Sequence, residues 1–410
     1  MSRLQLANYR GFAELELAFD PRLTVLVGVN GGGKSSVLDA LAMVLRGVVE
    51  GEGALAGAVA SLRNGAARGS VSTMLTPPSG SAWASSLGVP GAAASLEVRI
   101  KPGGVGFVGA PLSMVAVDGS VPIFAHYTVA RGATDATPGS TAPSTWSPER
   151  AWEHAFDASA NFEALFAWFR EREDLENERI RRDGTGLDPR LDAVRSAIAR
   201  AMPGFDSPRV RRPNGSIDEH PAFRRPTLVI DKAGEMLAFN QLSDGERSLL
   251  AMIADIARRL AIANPAGDPL AGRGIVLIDE IELHLHPKWQ ADVLERLLAV
   301  FPSLQFIVTT HAPLVLTHVK AEQVRVLHQF QVFAPPNPVE GREAGAILGE
   351  VFDTDPLPET TRDAVARISH LIDQDDFERA REELARLAEL LGERDAEVAR
   401  LRATIELLAS

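Results

Sequence analysis

The stretch Leu23-Thr24-Val25-Leu26-Val27-Gly28-Val29-Asn30-Gly31-Gly32-Gly33-Lys34-Ser35-Ser36 joins an apolar run to a glycine-rich turn that ends in Lys-Ser. The run predicts a buried strand, and Ser36 to Leu45 carries the spacing of a helix. Between them the pattern G-x-x-x-x-G-K-[ST] forms a phosphate cradle: glycines let successive backbone N–H groups converge, and the start of a helix favours an anion. In such a cradle Lys34 reaches the β- and γ-phosphates and Ser35 ligates Mg2+, while Asn30, Gly31, Gly32, Gly33 and Ser36 complete the nucleotide contacts. The expected cofactors are therefore ATP and Mg2+.

Three further segments extend this reading. Gly274 to Ile278 is an apolar strand that ends on Asp279-Glu280, where Asp279 supports hydrated Mg2+ and Glu280 orients and polarises an attacking water. Leu304 to Val308 is a further strand, and His311 follows it after Thr309-Thr310, placed to hydrogen-bond a γ-phosphate oxygen. Lys34, Glu280 and His311 are the expected catalytic side chains. Leu242-Ser243-Asp244-Gly245-Glu246-Arg247 precedes a helix, with Ser243 and Glu246 spaced as a capping box. Taken with the other three segments, Ser243 and Gly245 are expected to meet the nucleotide of a second copy. His284 and His286 alternate along the chain, but with no cysteine nearby and Pro287 following, they read as structural rather than as zinc ligands.

Composition narrows the class. At 410 residues the chain can build a large core, and its 45% hydrophobic content is ordinary for a soluble protein. No apolar run approaches 18 residues, and Arg3-Leu4-Gln5-Leu6 has no signal-like character, so fused membrane spans and a leader are not expected. The absence of cysteine removes disulfides and thiolate metal sites. The use of ATP points to the cytoplasm. A net charge of −12 argues against a generally basic surface, although residues 179–225 gather Arg179, Arg181, Arg182, Arg190, Arg195, Arg200, Arg209, Arg211, Arg212, Arg224 and Arg225. That segment is either a solvated charged face or a route to DNA.

Periodicity divides the chain into four expected regions: 1–148, an N-terminal lobe with the phosphate loop; 149–225, a helical, Arg-rich insertion; 226–335, a C-terminal lobe; and 336–410, a helical tail. Ala94 to Ile100 and Val121 to Tyr127 are expected to be strands of an antiparallel part of the head, and 132–147 a loop. Strands are also expected at Leu228–Ile230 and as one run over Val324–Val332.

Leu6-Ala7-Asn8-Tyr9-Arg10-Gly11-Phe12, the Gly28 to Ser36 loop, Gln241 to Arg247, Ile278-Asp279-Glu280-Ile281-Glu282-Leu283-His284-Leu285-His286-Pro287 and Thr310-His311-Ala312-Pro313 resemble the motifs of the SMC/RecF-like branch of ABC ATPases. The resemblance implies an α/β P-loop head with a mixed sheet, an antiparallel subdomain, a helical insertion and a helical C-terminal tail. It also implies Arg10 near the nucleotide, Ser243 across a head–head interface, Glu282 to Pro287 in a subunit-communicating loop, and His311 as the switch histidine. Such heads work as homodimers with ATP sandwiched between them. Phe166 to Glu178 and Gly341 to Gly349 look like the compact PtuA-like ATPases of Septu and retron anti-phage systems, which implies a separate HNH-type nuclease partner. A DNA-repair clamp of RecF type and a soluble transporter ATP-binding subunit are the alternatives. Asp244 stands where transporters usually have glycine, and no glutamine-loop residue is evident, Arg131 being a surrogate by position only.

Overall fold

The computed structural model of the chain describes residues 1–75, 94–109, 119–130, 147–157, 162–184, 186–213, 223–352, 354 and 357–409. Arg131 and most of the loop expected at 132–147 lie outside them. The first half runs through β1 (Arg3–Tyr9), β2 (Phe12–Ala18), β3 (Leu23–Val27), α1 (Lys34–Glu50), β4 (Gly69–Leu75), β5 (Ala94–Lys101), β6 (Gly104–Val108) and β7 (Ile123–Tyr127). Helices α2 (Phe162–Asp183) and α3 (Pro189–Ala201) follow, then β8 (Phe205–Arg211), β9 (Thr227–Lys232) and β10 (Glu235–Ala238). The rest of this unit comprises α4 (Asp244–Ala263), β11 (Gly274–Ile278), α5 (Pro287–Val300), β12 (Leu304–Thr309), the short α6 (Pro313–Leu316), β13 (Val324–His328), β14 (Gln331–Phe333) and α7 (Ala344–Phe352).

The central sheet has the order β14-β13-β3-β12-β11-β7, and all its pairings are parallel except β13 with β14. β3, β12 and β7 are buried along their whole length, as expected where both faces are covered. Successive side chains point to opposite faces. Leu26, Phe124, Ile275, Leu277 and Ile307 pack with α1 and the antiparallel sheet β2-β1-β4-β5-β6, whereas Val25, Ile123, Val276, Ile278, Phe306 and Val308 pack with α3, α4 and α5. From Ser248 to Ala263 every residue of α4 is buried, as befits a helix running through the core. Among the described residues, no helix is long and apolar enough to cross a membrane.

Two expectations are corrected. Val121–Tyr127 does not join the antiparallel part. As β7 it pairs in parallel with β11, in the register Ile278 to Tyr127. Its burial at every position, His126 included, is the mark of a strand covered on both faces, whereas a half-solvated antiparallel strand alternates. Val324–Val332 is not one strand. Gln329 and Phe330 take left-handed φ values of 49° and 61°, reversing the chain between β13 and β14.

Two region boundaries are crossed by structure. β8 pairs with β9 in a small antiparallel sheet that spans position 225, and α3 packs in the core beneath α4. Within 336–410, α7 buries Ile347, Val351 and Phe352 in the main core. Asp353–Ser410 is a second compact unit, with helices α8 (Glu359–Asp373), α9 (Phe377–Leu391) and α10 (Ala396–Leu408) around Ile368, Ile372, Leu384, Leu387, Val398, Leu401 and Ile405.

Candidate nucleotide site

The phosphate loop leaves β3 at Gly28, whose φ is 135° and where a Cβ would lie 2.1 Å from the Leu327 carbonyl oxygen on β13. Only glycine fits both the angle and that approach. The loop's tip, Asn30 and Gly31, is exposed, Gly32 lies behind it, and Gly33 leads into Lys34, the first residue of α1. Lys34 Nζ donates to the carbonyls of Gly28 at 2.9 Å and Val29 at 3.1 Å. Burial lowers the Lys34 ammonium from its ordinary value, against the opposing field of Asp279, Glu280 and Glu282. A triphosphate would give this ammonium the counter-charge that burial denies it.

Asp279 and Glu280 emerge where β11 ends. The Asp279 N–H donates to the Tyr127 carbonyl at 2.8 Å, and one Asp279 carboxylate oxygen accepts hydrogen bonds from Ser35 Oγ at 3.2 Å and Thr309 Oγ1 at 2.5 Å. Thr309 Oγ1 also accepts the Glu280 N–H at 2.7 Å. Glu280 has a left-handed φ of 47°, a conformation that costs about 1–3 kcal/mol for a non-glycine residue and persists when its surroundings hold it. The Thr309 hydroxyl is part of that hold. Thr309 was missed in the sequence reading. Its signal is a hydroxyl closing the apolar run Phe306-Ile307-Val308, a group that must find a partner once buried.

His311 lies just beyond β12, after Thr310. Its N–H donates to Glu282 Oε1 at 2.5 Å, so Glu282 anchors the His311 backbone within the same chain. Burial, then the nearby Lys34 charge, lowers the His311 imidazole from its ordinary value, while Glu282, Glu280 and Asp279 oppose the shift. A neutral imidazole with one N–H suits hydrogen bonding to a phosphate oxygen. Arg10, in the turn between β1 and β2, donates to Asp39 Oδ2 at 2.6 Å and Ser36 Oγ at 3.3 Å, which holds that turn against the first turns of α1.

The oxygens present suit Mg2+. A serine hydroxyl and a carboxylate are hard donors, and a cation that keeps several waters and binds phosphate needs few protein ligands. Among the described residues, no group of three or more His, Cys, Asp or Glu that could hold a metal ion is found. His286 caps α5 by accepting the Lys288 N–H.

Ser243 is exposed at the start of α4 and forms the expected capping box with Glu246. A Cβ at Gly245 would lie 2.1 Å from the His284 carbonyl oxygen, so the helix start abuts the segment that follows Glu280. Ser243 makes no hydrogen bond with the phosphate loop of its own chain among the described residues. The structure thus brings together Lys34, Ser35, Asp279, Glu280 and His311, with Ser36 and Arg10 beside them, and leaves Ser243 facing outward.

The arginines of 179–225 are largely engaged. Arg195 bridges Glu176 and Glu173, with Nη1 2.8 Å from Glu176 Oε2, and Arg212 Nη1 donates to Glu173 Oε2 at 3.0 Å. Arg209 pairs with Asp231 through two bonds of 2.8 and 2.9 Å, and Arg179 lies 3.5 Å from Asp188. Arg181 and Arg182 are exposed near the end of α2.

Residues 142–317 match the family described as an AAA domain, putative AbiEii toxin, Type IV TA system, and residues 3–74 match a second AAA-domain family. The chain is 34% identical over 241 residues to the Retron Vc95 probable ATPase of Vibrio cholerae serotype O1 biovar El Tor, covering 50% of this chain and 46% of that protein. It is 42% identical over 86 residues to the Septu protein PtuA of Bacillus mycoides (strain KBAB4), covering 21% of this chain and 12% of that one. It therefore spans about half, or less, of the curated relatives it matches. The SMC head solved with the C-winged helix domain of ScpA aligns with a TM-score of 0.46 at 16% identity, over 81% of this chain and 95% of that one. A phosphate loop, an Asp-Glu strand end and a strand-end histidine thus stand on one parallel sheet in a P-loop ATPase chain that is similar, over part of its length, to AAA-domain families and to retron and Septu proteins.

Proposed function

We propose that this chain binds Mg-ATP in the site around Lys34 and hydrolyses it when two heads pair, with Ser243 of each reaching the nucleotide held by the other. The observation that carries the reading is the Thr309 hydroxyl, which ties Asp279 and the Glu280 backbone together beside Ser35. When bound, Mg2+ neutralises phosphate charge and orients the γ-phosphate. Asp279 and Ser35 hold it, Lys34 offsets charge on the β- and γ-oxygens, Glu280 accepts a proton from the attacking water, and His311 donates to a γ-oxygen. The outward placement of Ser243 at a helix start supports a phosphate from another chain as its ligand.

Pairing would then be governed by nucleotide, because each triphosphate is held by both heads and the bridge is lost on hydrolysis. The retron and Septu relatives support a cytoplasmic defence role in which head pairing controls a separate nuclease of HNH type, with DNA reached through the exposed arginines of 179–225. Glu280→Gln tests the core of this reading. Turnover should fall by about 10²–10⁴-fold while ATP still binds, and paired heads should accumulate with Mg-ATP in light scattering. Unchanged turnover and a single-headed species would refute it.

A further inference from the structure

Asp255, Arg258 and Arg259 lie on α4, about 18–24 Å along the helix from Ser243, and are 0%, 2% and 1% exposed. None belongs to the nucleotide site. Arg258 donates to Asp255 Oδ1 at 2.6 and 3.1 Å, and Arg259 Nε donates to Oδ2 at 2.8 Å. Arg259 also donates to the carbonyls of Ala151 at 2.7 Å and Glu153 at 3.0 Å. A further donor to this carboxylate is Tyr127, whose Oη lies 2.8 Å from Asp255 Oδ2.

Tyr127 has a second tie. It ends β7, and its carbonyl accepts the N–H of Asp279. One residue thus touches the metal-site aspartate with its backbone and the middle of α4 with its side chain. Burial raises the Tyr127 phenol well above its ordinary value, so it keeps its proton and remains a donor. Burial also pushes the Asp255 carboxyl up, but the two guanidiniums outweigh it and keep the acceptor charged.

Stability alone does not call for such a cluster. The neighbouring α4 positions are Leu, Ile and Ala, and buried ion networks are often no more stable than apolar side chains of similar volume. A fully satisfied network does supply direction, because hydrogen bonds fix angles that apolar contacts leave free.

We propose that Tyr127 is a positioning residue: its bond to Asp255 couples the helix that begins at Ser243 to the placement of Asp279 and Glu280. Engagement of a neighbour's nucleotide at Ser243 shifts or stiffens α4, and the Tyr127 hydroxyl passes that constraint to the same chain's metal and water-activating carboxylates. The inference rests on the paired-head reading.

Tyr127→Phe removes one oxygen and leaves the backbone bond to Asp279 in place. In the full chain it should keep nucleotide-driven pairing and hold KM for ATP within about twofold, with kcat lowered about 10–100-fold and the Hill coefficient for ATP falling towards one. Asp255→Asn, which keeps the shape of the acceptor, should act in the same direction. If Tyr127→Phe fails to fold, or melts earlier with kcat unchanged, the network serves stability and the proposal is overturned. If the unsubstituted protein never pairs on Mg-ATP, the paired-head reading fails and takes this inference with it. If it pairs and Tyr127→Phe turns over normally, the inference alone fails.

Discussion

The nucleotide face and the segment from α2 to β9 are both crowded with charge, but they use it in opposite ways. Around Glu173 and Glu176, 5% and 3% exposed, the arginines close on carboxylates of the same chain, and the Val210 N–H adds two bonds of 3.1 Å to Glu173. Around Lys34 the polar groups converge on a loop with an exposed tip, and burial works against the Lys34 and His311 charges. A count of arginines therefore says little about what a segment offers to a ligand. What matters is whether their partners lie within the fold.

The comparison can be broken at its strongest point with Thr309→Val. This keeps the shape and β-branching of the residue but removes the hydroxyl shared by Asp279 and the Glu280 N–H. Turnover should fall about 10–100-fold, with ATP affinity changed far less. Equal loss of binding and turnover would mean that Thr309 merely supports the loop.

The other region is tested by Arg195→Leu, which leaves Glu173 and Glu176 short of a donor. Chemical denaturation should show a loss of roughly 1–3 kcal/mol, with ATP turnover per folded molecule unchanged. Little change in stability would mean that water replaces the guanidinium, and that these arginines are more available to an outside partner than their contacts imply.

The smallest effect is on pH. Burial lowers the His126 imidazole, with Arg46 contributing and Asp39 and Asp279 opposing, and His311 is lowered as well. The unfolded chain takes up these protons as pH falls below the ordinary histidine value of 6.5, while the native chain does not until lower pH. Their contribution is thus fully present above that value and is lost as pH drops towards the native values. Melting temperature should decline by a few degrees between pH 7.5 and about 5.5, and His126→Gln should flatten that slope. An unaltered slope would assign the decline to other groups.

Much of the site was legible because its signals are local. A glycine loop between an apolar strand and a helix, and strands ending on Asp-Glu or Thr-Thr-His, are features of short segments whose periodicity and backbone freedom follow from their own residues. The same logic marked Ser243 and Glu246 as a cap. It failed for Val121–Tyr127, where an apolar run reports burial but not the neighbour it pairs with, and for Val324–Val332, where two left-handed residues turn the chain without a glycine.

The sequence by itself determined that this chain makes a phosphate cradle, two strand-end clusters and a capped helix, because each depends on residues within a few positions of one another. Only the tertiary structure decided that Thr309 joins Asp279 to Glu280, that Glu282 holds His311, that Tyr127 reaches Asp255, and that Glu173 and Glu176 take up Arg195 and Arg212. Hydrogen bonds and ion pairs reach only about 3 Å, so their partners are chosen by which elements meet across the core; Tyr127 and Asp255 lie 128 residues apart in the chain, and the remaining pairs join different elements.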